Sequence, residues 1–595
     1  MVYGLAGRLL EVDLTHESIS KTNHSEEVAR KYLGGRGLGA WLLWEQLKPG
    51  TDAMSPEAPL MFLLGPLTGA WSSHTCVSFK SPETGTMGHA MTGGSWGPEL
   101  KFAGYDGLIV TGRADKPVYI CVKDDNVEIR PAQQMWGEGT TATTILVRKD
   151  LGDPLAKVLC CGPAGEKGVV LSSIVQDSWR AAARGGGGAV MGAKNLKAVA
   201  VRGTQGAHIA DMETFNALAD EFRRKLASLQ TGVYGGYIRG RYGSMLSTVS
   251  KCDANDMAVK NFADITWNQT PNIGGVRLER RNVVGHASCY GCNGGCFHIS
   301  VVRSGEYAGT VSQIDFDSTG LLGPNCLVSD PDAMMYLNAL CDELGLDAES
   351  AGTTLSWVME CYEKGLLTSA ELGGVELRWG DAPAMIQLIH NLVAREGFGD
   401  VLAKGLKHAC GIVGKGSGKF AMHCKGMGLG GHHPVTPERG LQYAVGDRGG
   451  CHHYGNSVHE QNWRAWADSL TCCTWHFVAI GEDYSKMLSM VTGWDLQRIQ
   501  EEWDTTAERL LILARAFNIR EGMKPLLEDI LPDRVHEEAF GGGKTRRSYP
   551  REQFEADRAN WYAKRGCDAT GIPTSERLRQ LGLDFVDPVM DEFRT

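Results

Sequence analysis

Cys289-Tyr290-Gly291-Cys292-Asn293-Gly294-Gly295-Cys296 places three thiols within eight residues, spaced C-x2-C-x3-C among glycines. Such a loop can wrap one soft metal centre, because thiolates select zinc, copper(I) or iron–sulfur clusters. Zinc sites more often pair two CxxC units, or one CxxC with later histidines. A close triplet with a distant fourth cysteine is the pattern of a cubane iron–sulfur cluster. The plain alternative, three buried structural thiols, fits poorly with this density among glycines.

Around that loop the chain reads as an ordinary globular protein. Its 595 residues are too many for one core, so about two to four domains are expected. Apolar content of 43% and charged content of 22% are typical of soluble proteins. A net charge of -10 argues against nucleic acid or an anionic membrane as the main partner. Met1 to Leu14 lacks the basic-then-apolar layout of a signal peptide. The apolar run Leu60–Leu64 is broken by Gly65 and Pro66, far short of a membrane span. The 17 cysteines include adjacent pairs at Cys160-Cys161 and Cys472-Cys473, unlike a disulfide framework, and point to a reducing cytoplasm.

Residues 1 to about 205 read as short β-type runs bounded by turns, among them Arg8–Leu14, Ala58–Leu64, Gly107–Thr111, Val118–Val122 and Ala198–Arg202. Asp211 then looks like an N-cap, and Met212 to Leu229 has helical apolar spacing. From there to Leu531 the pattern is mainly helical. Ser329-Asp330-Pro331 opens a helix with Ala333, Leu337, Leu340 and Leu344 on its buried face, and Gly345 stops it. Another helix runs from about Ala507 to Gly522, and Gly541-Gly542-Gly543 opens a polar tail. The expected class is α+β: a β-rich domain over 1–208, then helical domains over 209–417 and 418–595.

Three glycine loops are candidates for ligand binding. Gly35-Arg36-Gly37-Leu38-Gly39-Ala40 fits a dinucleotide fingerprint, but the residues before it, Glu26–Leu33, look helical where that fingerprint needs a strand. Arg184-Gly185-Gly186-Gly187-Gly188 resembles a P-loop with a displaced lysine, Lys194. Its exposed amides and the cations Arg184, Lys194 and Arg180 suit an anion. Thr92-Gly93-Gly94-Ser95-Trp96-Gly97 is the third. Each alone reads as a tight turn. Two of them in the β-rich part, with the cysteine loop in the helical part, imply a bulky phosphate-bearing cofactor beside the cluster.

Several further segments stand out in collinear order: Gly7-Arg8 with Val12-Asp13-Leu14, Leu33-Gly34-Gly35-Arg36-Gly37, Lys80-Ser81-Pro82, and Glu99-Leu100-Lys101 with Ala103-Gly104-Tyr105-Asp106. Ala189-Val190-Met191-Gly192, the cysteine triplet, Leu322-Gly323-Pro324-Asn325-Cys326 and Arg515-Ala516-Phe517-Asn518 continue the series. Together they resemble the aldehyde:ferredoxin oxidoreductase family. The resemblance implies a tungsten or molybdenum bis-pterin and one [4Fe–4S] cluster, and it allows a Mg2+ ion bridging the pterin phosphates. It also implies a small aldehyde substrate and a ferredoxin-like partner, with a homodimer or a complex with Fe–S subunits left open.

The family's paired D-x-x-G-L-(D/C) motifs align with Asp342-Glu343-Leu344-Gly345-Leu346-Asp347 and with Asp468-Ser469-Leu470-Thr471-Cys472-Cys473. The second departs by Thr471 for glycine and Cys472 for leucine. Cys473 falls at the family's fourth cluster ligand, beside Cys289, Cys292 and Cys296; Cys472 is its rival. The resemblance places His74, Thr92, Gly93, Gly94, Arg180, Ala181, Arg184, Gly185 and Gly186 at the cofactor. It adds Asp342, Gly345, Leu346, Asp347, Asp468 and Cys472. His74 stands where relatives commonly have arginine. The family's active-site histidine aligns with His452, in Arg448-Gly449-Gly450-Cys451-His452-His453, and its carboxylates with Asp315 and Asp317. A neighbouring carboxylate would hold the His452 ring and raise its pKa above the ordinary 6.5 or so. The alternatives are a low-potential reductase of another substrate, such as an aromatic acyl thioester, a non-catalytic Fe–S electron carrier, or a zinc-stabilised module. Glycine loops and paired aspartates argue against the electron carrier, since a cluster alone needs neither; a zinc module would show zinc and no visible absorption.

Overall fold

The computed structural model describes residues 2–229, 239–476, 484–541 and 547–594; Gly542 and Gly543 of the expected tail lie outside them. The strands before residue 203 are β1 Arg8–Asp13, β2 Ser18–Asn23, β3 Leu60–Leu63, β4 Thr75–Lys80, β5 Met87–Thr92 and β6 Gly107–Thr111, then β7 Val118–Lys123, β8 Asn126–Pro131, β9 Lys157–Cys161, β10 Ile174–Gln176, β11 Arg180–Ala182 and β12 Leu196–Arg202. They form two six-stranded sheets, ordered β2-β1-β6-β3-β4-β5 and β11-β10-β9-β12-β7-β8. Both sheets are antiparallel apart from one parallel pair in each, β1 with β6 and β7 with β12.

Alternation along the strands explains how the sheets are buried on two faces. Leu10, Val12, Phe62, Val77, Phe79, Leu108 and Val110 of the first sheet pack against Ile120, Val122, Leu159, Val199 and Val201 of the second. Their neighbours Leu9, Met61, Leu63 and Ile109 point the other way and meet helices from both ends of the chain. Strands buried on both faces read as unbroken apolar runs, which is why Leu60–Leu63 was legible as a strand.

The helices that matter to the site are α1 Glu26–Tyr32, α2 Gly35–Gln46, α3 Gly187–Ala193, α4 Met212–Leu229, α5 Phe316–Leu322, α6 Pro331–Leu344, α7 Ala348–Glu363, α8 Val458–Ser469 and α9 Leu496–Arg520. The Asp330 side chain caps α6 and Gly345 ends it at φ +70°, as the sequence predicts; Ala333 and Leu337 are buried, with Leu340 and Leu344 packed at the edge of the same core. Helix α9 begins eleven residues before the expected Ala507. Its first turns carry exposed charges such as the Arg498–Glu502 pair at 2.9 Å, so they lack an apolar signal. The cysteine triplet lies in a region expected to be helical, yet it forms the connection between two strands, β13 Val283–Ala287 and β14 Phe297–Val301, with β15 Val311–Gln313 beside them.

Helix α1 precedes the Gly35–Ala40 run, so the dinucleotide reading fails for the reason expected. The glycines instead let α2 approach its neighbours. A Cβ at Gly39 would lie 2.2 Å from Ser78 Oγ, and one at Gly37 2.3 Å from Tyr32 O. Alanine in a helix is intrinsically better than glycine by about 1 kcal/mol. Overpacking a tight contact costs roughly 1–3 kcal/mol, so the clash wins at Gly39. Gly39→Ala should therefore lower the denaturant midpoint. Gly411→Ala, in the helix Leu406–Val413 with nothing within 4 Å of its Cβ, should raise it. Equal shifts of one sign would refute this packing account.

Candidate active site

The triplet loop is tied to the glycine turn, to a neighbouring helix and to itself. Tyr290 N–H donates to Gly94 O at 2.9 Å, Gly294 N–H to Cys292 Sγ at 3.2 Å, and the Asn293 side chain to Arg223 O of α4 at 2.9 Å. A Cβ at Gly93 would meet Cys289 Sγ at 2.8 Å and His74 Nε2 at 3.4 Å, so only glycine fits between them. Thr92–Gly94 and His74 thus border the cysteines, and β11 brings Arg180 to their sulfurs, with Ala181 next to it in the strand. Burial opposes the Arg180 charge, but the sulfurs of Cys289, Cys296 and Cys473 more than offset it, and the ring of Phe297 lies 4.5 Å away. Burial, then the nearby Cys296 and Cys289, pushes the Cys473 thiol up. Cys472 turns into an apolar cluster with Trp466 and Leu470, its sulfur on Leu470 O. Cys473 therefore faces the triplet and Cys472 the core. Among the described residues no disulfide joins any of the 17 cysteines.

Each glycine-led loop presents one arginine to one aspartate motif. Arg184, preceding Gly185 and Gly186 at φ +92° and +84°, pairs with Asp347 at 3.1 Å and Glu349 at 2.6 Å and also donates to Gly428 O. Arg36 of α2 pairs with Asp447 at 2.5 Å and Asp468 at 3.6 Å. The first motif is stitched to the second sheet's approach: Ser173 N–H donates to Gly345 O, Asp347 N–H to Leu171 O, and Leu346 is buried. Burial, reinforced by Asp315 and Glu343, pushes the Asp342 carboxyl well above its usual range. Lys194, expected to serve the glycine loop, instead donates to the carbonyls of Pro56 and Gly112 at the far end of α3. Thr471 takes φ +57°, a conformation suited to the glycine it replaces; its hydroxyl meets Thr68 Oγ1 at 2.6 Å.

His452 Nε2 lies 3.4 Å from Asp317 Oδ1, with the His432 and His453 rings 4.8 and 4.1 Å from its own. Asp315 does not join them. It caps α5 by accepting from Ser318 N–H, and its charge bears on Asp342. The expected rise in the His452 pKa is also corrected. Burial, helped by His453, His432 and Arg439, drives it well below the ordinary value. Burial likewise pushes the Asp317 carboxyl well up, with Glu349 and Asp315 adding to it. The pair is thus a neutral imidazole beside a carboxyl that tends to keep its proton. Glu349 is the site residue that sequence reasoning missed. It sits in the first turn of α7, where an exposed helix-start glutamate would be unremarkable.

The donor set suits the groups expected there. Crowded sulfurs are relieved by binding a soft metal centre. Ser172 and Ser173, beside Gly345 and Gly188, carry buried hydroxyls with no hydrogen-bond partner among the described residues, as a site awaiting polar ligand atoms would. No helix among the described residues is long and apolar enough to cross a membrane.

Residues 9–203 match the family model for the N-terminal domain of aldehyde ferredoxin oxidoreductase, and residues 218–583 the model for its domains 2 and 3. The chain is 35% identical to the tungsten-containing aldehyde ferredoxin oxidoreductase of Pyrococcus furiosus, over 98% of this chain and 99% of that one. It is 32% identical to the aliphatic sulfonate oxidoreductase, WOR-like subunit, of the same organism, over 98% and 97%. A solved structure, the active site complex BamBC of benzoyl coenzyme A reductase with 1,5-dienoyl-CoA, matches with a TM-score of 0.84 at 26% identity, over 100% of this chain and 99% of that one. The protein is an oxidoreductase. More narrowly, it belongs to the aldehyde ferredoxin oxidoreductase family.

Burial also sets an acid limit on stability. His433, with Nε2 on Phe262 O at 2.9 Å, is pushed down to about 4 by burial. A depressed folded-state pKa contributes stability that is present above about 6.5 and lost as pH falls toward 4. The loss is on the order of 3 kcal/mol. The melting temperature should fall across that window, and His433→Gln should flatten the fall. An unchanged slope in the variant would remove His433 from the account.

Proposed function

We propose that this chain uses a tungsten or molybdenum bis-pterin to oxidise a small aldehyde to its carboxylate, and that a [4Fe–4S] cluster passes the electrons to a ferredoxin-like partner. The observation that carries the reading is the approach of Cys473, five residues beyond Asp468, to the Cys289–Cys296 loop, beside two arginine–aspartate pairs. Cys289, Cys292, Cys296 and Cys473 would hold the cluster. Arg184, Asp342, Asp347, Arg36 and Asp468, with the amides of Gly185 and Gly186, would hold the two pterins, and a Mg2+ ion could bridge their phosphates.

When bound, the metal centre supplies two-electron chemistry at the substrate carbon and the cluster passes electrons singly. The chain's own residues handle protons and position. Converting an aldehyde hydrate to a carboxylate must shed protons, and the His452 ring, kept neutral by burial, can accept one only briefly before passing it on. Asp317, 3.4 Å from Nε2, orients the ring and can return a proton to a carbonyl oxygen. The match to the benzoyl coenzyme A reductase complex supports a second reading, reduction of the ring of an aromatic acyl thioester at the same site. The two readings differ in product, carboxylate or reduced ring.

Serine at Cys473 should abolish or convert the cluster's electron paramagnetic resonance signal, while serine at Cys472 should leave it; the reverse would reassign the fourth ligand. General acid–base groups contribute about 10²–10⁴-fold in rate. His452→Ala should therefore slow turnover of a series of aldehydes by roughly that factor, with metal, pterin and iron contents unchanged. A normal rate in His452→Ala with a slow His453→Ala would move the role by one residue.

A further inference from the structure

Gly430 and Gly431 leave an uncovered step of backbone between titratable side chains. A Cβ at Gly430 would sit 2.6 Å from His452 Nδ1 and 3.0 Å from Glu349 Oε2, so both atoms border one small niche. At Gly431 the nearest atom would be Asp317 Oδ1, at 3.4 Å. His452 Nδ1 is buried and has no hydrogen-bond partner among the described residues. Its other nitrogen faces Asp317. The ring thus lies between two carboxyl groups, one on each nitrogen's side.

Glu349 is one of two carboxyls on Arg184, which pairs with it at 2.6 Å and with Asp347 at 3.1 Å. Asp347 already caps α7 by accepting from Glu349 N–H, and Asp347 already pairs with Arg184. Arg184 is faced by Glu349, Asp347 and Glu83, and one guanidinium cannot neutralise three buried carboxyls. At least one of them is therefore suited to carry a proton.

We propose that Glu349 is a proton-relay residue acting through His452 across the niche at Gly430. The proposal rests on the acid–base reading above and extends it. When the ring takes a proton at Nε2 from the substrate side, Nδ1 gives one up to the Glu349 carboxylate, directly or through one water. The ring gains and loses one proton, the carboxylate becomes a carboxylic acid, and no electron moves. The step suits its surroundings, because burial disfavours a lasting imidazolium. Burial also pushes the Glu349 carboxyl up to about 7 against the pull of Arg184, with Asp347 and Asp315 adding to the rise; Asp317, Arg448 and His452 are the other groups facing it.

The test compares Glu349→Gln and Glu349→Asp as holoenzymes. Glutamine still accepts from Arg184 but cannot take the proton; aspartate keeps the charge but withdraws it from the niche. Both should retain metal and pterin and a normal KM, and kcat should fall roughly 10²-fold, the low end of the acid–base range. The limb of the kcat–pH profile near neutrality should disappear in Glu349→Gln. So should a carboxylic-acid band in the infrared difference spectrum recorded across neutral pH. A Glu349→Gln enzyme with wild-type kcat, pH profile and infrared band overturns the relay. Loss of pterin in Glu349→Gln, with content and rate both restored in Glu349→Asp, overturns it too and assigns Glu349 to holding Arg184. If His452→Ala is itself silent, the acid–base reading fails; if His452→Ala is slow and Glu349→Gln normal, only the relay fails.

Discussion

Negative groups buried side by side repel unless cations are buried with them, and three arginines from the β-rich part of the chain meet that need. Arg36 answers Asp447 and Asp468, Arg180 the sulfurs of Cys289, Cys296 and Cys473, and Arg184 Asp347 and Glu349. In each case the partners come from later, mainly helical segments. The contact between the two parts of the chain is therefore electrostatic at the site and apolar around it. Removing one partner of such a pair leaves an uncompensated buried charge, a larger cost than the pair is worth as stabilisation. That asymmetry makes the arrangement a device for register more than for stability. A helical segment that docks one turn out of place loses a guanidinium.

How much of this could be read beforehand varies with the physical signal each feature sends. The cysteine triplet was legible because thiols at that spacing have little other use, and Gly345 because a helix stop needs a left-handed residue. The rejection of a nucleotide fingerprint at Gly35–Ala40 followed from a helical pattern before it. What the pattern could not reveal was the glycines' purpose, since close approach to Ser78 and to the Asp468 backbone is a tertiary fact. Lys194 misled because a lysine near a glycine loop looks the same whether it faces an anion or caps carbonyls. Asp315 and Asp317 are indistinguishable in sequence. The helix that starts between them turns one into a cap and the other toward His452.

Glu349 escaped for a deeper reason. Glutamate in a helix's first turn is favoured by the helix dipole, so its presence carries no information. Only burial changes its meaning, and burial here comes from the Gly428–Gly431 strand-and-loop lying over α7, with Thr353 Oγ1 donating to Leu429 O at 3.1 Å. The same strip brings Gly430 against His452. One backbone segment thus both desolvates the carboxyl and places it beside the imidazole.

The electrostatics of the histidine cluster then constrain what the site can do. With His432, His452 and His453 all held neutral by burial and carboxyls on either side pushed up, extra positive charge on the ring is costly. A base in such surroundings can accept a proton only briefly, so a second group must take it on if turnover is to continue. Asp317 stands on the Nε2 side of the ring, so a group on the Nδ1 side completes the pathway. The open step at Gly430, with a carboxyl across it on the Nδ1 side, offers the proton such an exit.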